Sequence, residues 1–256
     1  MKGLRSRPAS LMSPRAPLSR ASRALGVASV LALALPAVAA IPAAEKVHKA
    51  VAAANAAARR SQPLRLEVAL VSETGELAAT GQGYLDPAGT SRLELKLADG
   101  RVEAHERTGS SYRATRDGAP VERVLPLLPP TRLLQAPTAE ALTAALVDLG
   151  AATDKVELGI EGGRDCWVLG GRDPGPFGAN GRPSLWVDLE SRQPVRIDEA
   201  ARGGQAGGVH FRLGPSAVQD GVRFPAWIDI EAAGWPRWRM QIRRVISAGA
   251  GPARPP

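Results

Sequence analysis

Apolar and polar residues alternate with a period of two over much of this chain. Leu64, Leu66, Val68 and Leu70 are interleaved with Arg65, Glu67 and Ala69, and Leu93, Leu95 and Leu97 with Arg92, Glu94 and Lys96. Val195 and Ile197 alternate with Arg196 and Asp198. Phe224, Ala226, Ile228 and Ile230 share one phase, and Trp238, Met240 and Ile242 share that of another run. Successive side chains of a strand point to opposite faces, so such runs predict antiparallel strands with one dry and one wet face. Turn signals fall between them at Thr74-Gly75, Asp86-Pro87-Ala88-Gly89, Asp99-Gly100, Asp117-Gly118 and Asp220-Gly221. Roughly ten strands are expected. Ser184 to Asp198, SLWVDLESRQPVRID, is the best-formed hairpin, with Pro194 where its second run begins.

Two stretches follow a helical period instead. Pro42 to Arg60 is rich in helix formers, with Pro42 suited to a first turn and the paired arginines to a C-terminus. Val47, Ala50, Val51 and Ala54 form its apolar stripe, which leaves His48 on the solvated side. Residues 125–149 begin proline-rich and then predict a helix from Thr138, with Leu142, Ala145, Leu146 and Leu149 facing inward. Gly170 to Pro183 reads as a mobile loop, and residues 247–256 as a disordered tail.

Charge and composition change this picture at the N-terminus. Lys2, Arg5, Arg7, Arg15, Arg20 and Arg23 precede an apolar stretch, Leu25 to Val38, that ends in Ala37-Val38-Ala39-Ala40. Basic, apolar and small-residue zones in that order predict a secretory leader over residues 1–40, with an uncleaved membrane anchor as the alternative. No cysteine marks the junction and no Arg-Arg pair precedes the apolar run, so neither a lipid anchor nor twin-arginine export is expected. The chain carries a net charge of +8, and those six residues account for most of it, leaving an excess of two. Nucleic-acid binding thereby loses its electrostatic support. The remainder suits one domain, residues 41–246. The full chain is 44% hydrophobic but only 4% aromatic, so the core must be aliphatic. The one cysteine, Cys166, lies in the apolar run Cys166-Trp167-Val168-Leu169 and reads as a buried thiol.

Catalytic signatures are scarce. No G-x-S-x-G, H-E-x-x-H or Walker loop occurs, and three histidines with one cysteine make a poor zinc set. Gly81-Gln82-Gly83 lacks the third glycine of a dinucleotide fingerprint and reads as a turn within a hairpin. Asp188, Asp198, Asp229 and Glu231 fall on wet strand faces and read as solvated, as does His210. Arg237, Arg239, Arg243 and Arg244 give the last strand a basic face, suited to protecting a sheet edge or to meeting anionic lipid head groups or an acidic envelope partner. No enzyme activity, metal or cofactor is expected.

A long one-sided sheet must curl, and its dry face must be covered. The expected fold is therefore mainly β: an incomplete antiparallel β-barrel of about ten strands, with helices covering the concave face. Leu66, Val68, Leu93, Leu95, Val195, Ile197, Ile228, Ile230, Trp238 and Met240 are the expected apolar cavity lining. Four motifs resemble those of the outer-membrane lipoprotein-sorting, or LolA-like, proteins. They are Leu185-Trp186-Val187-Asp188 with Gln193-Pro194-Val195-Arg196-Ile197, Asp220-Gly221-Val222-Arg223-Phe224-Pro225, Gly81-Gln82-Gly83-Tyr84-Leu85, and the Gly109 to Tyr112 turn. The likeness spans about residues 42–246. Where such carriers place an arginine that latches the lid, this chain reads Asp86-Pro87-Ala88-Gly89-Thr90-Ser91, with Arg92 following. The resemblance implies a periplasmic carrier that binds lipid acyl chains or an acylated protein without reacting with them. The second alternative is an envelope sensor or protein-interaction module on the same fold, and the third a hydrolase acting on envelope lipids.

Overall fold

The alternating runs pair into one large antiparallel sheet. The computed structural model describes residues 41–171, 182–200 and 208–248. The expected leader, most of the Gly170 to Pro183 loop and all but the first two residues of the expected tail lie outside these. The chain opens with helix α1 (Ala44–Ala57), followed by a meander of β1 (Leu64–Ser72), β2 (Leu77–Leu85), β3 (Thr90–Leu97), β4 (Val102–Thr108), β5 (Ser111–Arg116) and the short β6 (Ala119–Pro120). An irregular segment then leads to α2 (Arg132–Gln135) and α3 (Ala139–Leu149). Strands β7 (Ala152–Glu161), β8 (Arg164–Gly170), β9 (Ser184–Asp188), β10 (Pro194–Glu199) and β11 (Val209–Leu213) form the second meander. A small hairpin of β12 (Ser216–Gln219) and β13 (Val222–Pro225) precedes β14 (Trp227–Ala232) and β15 (Trp238–Ser247).

Thirteen of these strands form the main sheet, in the order β6-β5-β4-β3-β2-β1-β15-β14-β11-β10-β9-β8-β7. The β1–β15 pair joins two wings, and the sheet ends at β6 and β7 without closing into a barrel. The expected mainly β, open antiparallel architecture is present. Among the described residues there are fifteen strands, more than the ten expected. β4 (VEAHERT), β5 (SYRATR) and β7 (ATDKVELGIE) carry charged residues at positions of both phases, which erases the alternation that would announce them. The expected run from Phe224 to Ile230 is broken at Ala226, so Phe224 lies in β13 and Ile228 in β14.

Local chemistry sets the ends of the elements. Thr138 caps α3, its hydroxyl accepting from the Ala141 N–H, and Gly150 ends that helix at φ 84°. Gly81 and Gly83 are not a turn: they sit within β2, opposite Leu95 and Leu93. A Cβ at Gly81 would lie 1.9 Å from the Glu94 carbonyl oxygen, so β2 and β3 approach too closely there for any side chain. Strand β15 is not an edge but the sheet's central seam, between β1 and β14.

Candidate functional site

Residues directly opposite each other across an antiparallel ladder share a face. Leu66 thus aligns with Gly83, Leu93 and His105, and Val68 with Gly81, Leu95 and Glu103. On the other wing Met240 faces Ile228, and Ile230 faces Phe211 and, beyond it, Ile197. Eight of the ten expected lining residues, Leu66, Val68, Leu93, Leu95, Ile197, Ile228, Ile230 and Met240, belong to one buried cluster on this inner face. Trp238 is partly buried against it. Val195 is elsewhere: the β9–β10 ladder slips between Pro194 and Arg196, and the slip places Val195 with Cys166, Val168 and Trp186 on the outer face.

The inner face is covered by α1, α3 and the leucine-rich segment from Leu125 through α2. Val47 and Val51 of α1, Leu127 and Leu128 of the segment, and Leu142 and Leu146 of α3 all join the same cluster. The α1 stripe is rotated from its expected position, and His48 is buried with Val47, Val51, Ala52 and Asn55 rather than solvated. Its Nδ1 lies 3.0 Å from the Thr143 hydroxyl of α3, and burial pulls its pKa down.

Two polar clasps tie this cover down. In the first, Arg107 of β4 and Glu199 at the end of β10 form a two-pronged ion pair, with Nη1–Oε1 at 2.7 Å and Nη2–Oε2 at 3.0 Å. Their side chains are 2% and 1% exposed. β4 and β10 lie in opposite wings, so this contact bridges the curled sheet. The Arg107 Nε donates to the Leu128 carbonyl of the cover at 3.0 Å, and the guanidinium lies 5.0 Å from the centre of the Tyr112 ring. The Tyr112 hydroxyl accepts from the Leu127 N–H at 2.8 Å and meets His105 Nδ1 at 2.8 Å. Burial pushes the Tyr112 phenol well above its ordinary value, so it stays protonated. His105 Nε2 approaches Glu103 to 2.7 Å, though too far off line for a well-aligned hydrogen bond. That imidazole, helped by Arg116, holds the Glu103 carboxyl down to about 2.

The second clasp centres on Arg60, which is 0% exposed. Its Nη2 donates at 2.6 Å to both Asn55 Oδ1 and Gln193 Oε1. Asn55 in turn donates to the carbonyls of Leu133 and Ala136, and Gln135 to those of Arg60 and Gln62. No carboxylate partners Arg60 among the described residues, and its Nε and Nη1 have no acceptor there. Burial, aided by the nearby Arg223, pulls its pKa down to about 10.

At the first clasp the β2–β3 and β4–β5 turns meet, with the Gly109 N–H donating to the Gly89 carbonyl at 3.2 Å. Gly89 has φ 108°, and a Cβ there would sit 2.5 Å from Arg132 Cδ. These glycines, Arg107, Glu199 and the Arg132–Asp148 ion pair surround a pocket of about 10 Å³, room for roughly one water. Where α1, α3 and the leucine-rich segment lie on it, the inner face is packed, so a ligand reaches that part only if the cover moves.

The outer face of β9, β10 and β11 is not the wet surface expected. Asp188, Asp198, His210 and Glu231 are buried, and Asp229 is half-buried. Asp198 Oδ2 accepts from the Ser184 hydroxyl at 2.8 Å and the Trp186 indole at 2.9 Å, while His210 Nδ1 and Arg196 Nε each lie 2.7 Å from Oδ1. Against the upward push of burial, His210 and Arg196 hold Asp198 below its ordinary value. Here the carboxylate stands between serine and imidazole, so the arrangement locks the sheet rather than activating the hydroxyl. The expected basic face of the last strand is largely neutralised: Arg239 pairs with Asp229, Arg237 with Glu231 and Glu73, and Arg244 with Glu67 and Asp220. Cys166 is buried as expected, its thiol pushed up to about 11 by that burial.

Arg107 and Glu199 were not among the sequence-derived candidates. One signal pointed at Glu199: extending the Val195–Ile197 alternation by one step puts a glutamate on the dry face, where a carboxylate requires a cation.

No family model and no curated protein matches this sequence. Among solved structures, the chain is similar to an outer membrane lipoprotein-sorting protein domain from Vibrio parahaemolyticus, at 9% identity and a TM-score of 0.46, over 82% of this chain and 95% of that one. It is likewise similar to a LolA superfamily protein from Nitrosomonas europaea, at 12% identity and a TM-score of 0.46, over 80% and 93%. A chain of the MucA/MucB complex from Pseudomonas aeruginosa matches at 13% identity and a TM-score of 0.23, over 82% and 59%. The likeness is one of fold alone.

Proposed function

We propose that this protein is a non-catalytic carrier of the bacterial envelope that takes an acyl chain, or an acylated segment of a protein, between the inner face of its sheet and the helical cover. One observation carries this reading. A continuous aliphatic face is closed not by a second sheet but by short helices and an irregular segment, pinned through the Arg107–Glu199 clasp to both wings. The magnitudes permit exchange. Leaving one member of a buried ion pair uncompensated costs about 3–5 kcal/mol, and opening the clasp to water costs less than that. A sixteen-carbon chain contributes on the order of 10 kcal/mol before entropic costs. The leader-like N-terminus supports export and a periplasmic location for the processed chain.

Lipid copurifying with the protein, detected by mass spectrometry, is the expected result. Leu66→Phe and Ile228→Phe should lower uptake of a fluorescent fatty acyl probe, with folding followed in parallel by melting. Unchanged probe uptake together with a lowered melting point rejects the carrier reading. The filled interior favours a second reading, an envelope sensor or interaction module on the same fold. A tight protein complex with no lipid exchange supports that alternative.

A further inference from the structure

The two ends of the sheet are built differently. β6 is two residues long and ends in Pro120, which has no N–H to offer another strand. β7 has ten residues and no proline, and β8 is its one strand neighbour among the described residues. Its inner-face positions Val156, Leu158 and Ile160 oppose Leu169, Trp167 and Asp165 of β8. The helices cover the beginning of this row but not its end: Leu158 is 42% and Ile160 69% exposed. On the outer face Gly159 lies under Trp186, where a Cβ would come within 2.5 Å of the ring, so the strand's end stays in the ladder with no side chain of its own there. Glu161 is held by Arg196 at 3.1 Å and Arg212 at 3.3 Å. A second strand arriving at this end meets Leu158, Ile160 and one carboxylate, Glu161, with Asp154, Lys155 and Glu157 lying further back along the strand.

We propose that β7 is a dimerisation edge, on which β7 of a second copy pairs antiparallel about Leu158 to continue the sheet across a two-fold axis. The sequence of β7 selects that register. Centred on Leu158, Leu158 faces its own copy, Val156 faces Ile160 of the second copy, and Lys155 faces the second copy's Glu161. Centring on Glu157 would set two glutamates directly opposite, and centring on Gly159 would oppose Glu157 to Glu161. Neither of these registers gives Lys155 an acidic partner. The proposal is independent of what the inner face binds.

Sedimentation of the purified protein over a range of concentrations should show a reversible dimer, and Ile160→Lys should weaken it at least tenfold without altering the far-ultraviolet circular dichroism. Register is read by cysteine pairing under mild oxidation, with the parent chain and its buried Cys166 as the background. Leu158→Cys should form a covalent dimer with itself. Ile160→Cys should not, but should cross-link when mixed with Val156→Cys. A monomer at every concentration overturns the proposal, as does a dimer indifferent to Ile160→Lys that leaves Leu158→Cys uncross-linked. In the first case the edge is left to a segment of some other chain; in the second the interface lies elsewhere on the molecule.

Discussion

Arg107 and Arg60 are both buried beneath the same cover, yet their surroundings differ. Arg107 faces the Glu199 carboxylate on both prongs and donates its remaining Nε to a cover carbonyl. Arg60 meets only the amide oxygens of Asn55 and Gln193, with Arg223 adding repulsion. The first is a strong, direction-specific bond between the two wings and the cover. The second keeps an uncompensated charge and joins the end of α1 to the β9–β10 turn through amides alone. His48 represents a third solution, a buried base that can shed its charge. One end of the cover is thus built to hold and the other to yield: separation of Arg107 from Glu199 strands a carboxylate in the interior, whereas movement around Arg60 exposes a cation that gains from water.

The largest effect should come from Arg107→Ala. It leaves Glu199 buried without its bidentate partner and should cost about 3–5 kcal/mol in urea unfolding. A loss under 1 kcal/mol would mean that the pair is not a clasp. The double variant Arg107→Met with Glu199→Leu sharpens this, because no charge is then left stranded. It should recover most of the loss, ending within about 1 kcal/mol of the parent or above it. If the carrier reading holds, the double variant should also exchange an acyl probe faster.

Arg60→Met should be far milder. Loss of one donor shared by two buried amide oxygens costs about 1–3 kcal/mol, and removal of an unpaired buried charge offsets it, for a net change of about 1 kcal/mol or less. A loss as large as that of Arg107→Ala would break the contrast between the two clasps.

The smallest effects should appear in the pH dependence of stability. Burial lowers the folded-state pKa of His48 below its ordinary 6.5. Its contribution is therefore complete above about pH 6.5 and is lost as pH falls toward the lowered value, because the unfolded chain binds the proton first. Glu103, lowered from 4.5 to about 2, contributes above pH 4.5 and loses that contribution between there and about pH 2. Unfolding curves at pH 7.5, 6 and 5 should thus show a modest decline that His48→Gln removes and Arg60→Met does not. A decline that persists in His48→Gln would place the proton elsewhere.

The strands that alternation made legible, β1, β3, β9, β10 and β15, are those whose two faces differ in polarity. Where both faces carry charge, as in β4, β5 and β7, no period was readable. Those strands hold Arg107, Tyr112 and the exposed edge. His48, Asp198 and His210 depart from the sequence expectation for a related reason: polarity alone predicts a side chain that points to water, whereas each is buried against a partner from another element. The slip at Val195 is a tertiary effect too, since one residue of bulge moves a side chain to the other face without changing any residue type.

By itself, then, the sequence determined the mainly β open sheet, its major turns, the start of α3 at Thr138 and eight of the aliphatic residues beneath the cover. These follow from local rules: side-chain period, turn chemistry and capping. Tertiary structure alone decided that β1 and β15 form the central seam, that Arg107 meets Glu199 across 92 positions of sequence, and that β7 is left at an edge. Such pairings depend on how far a twisted sheet curls before its wings and cover meet, and no local pattern of residues encodes that distance.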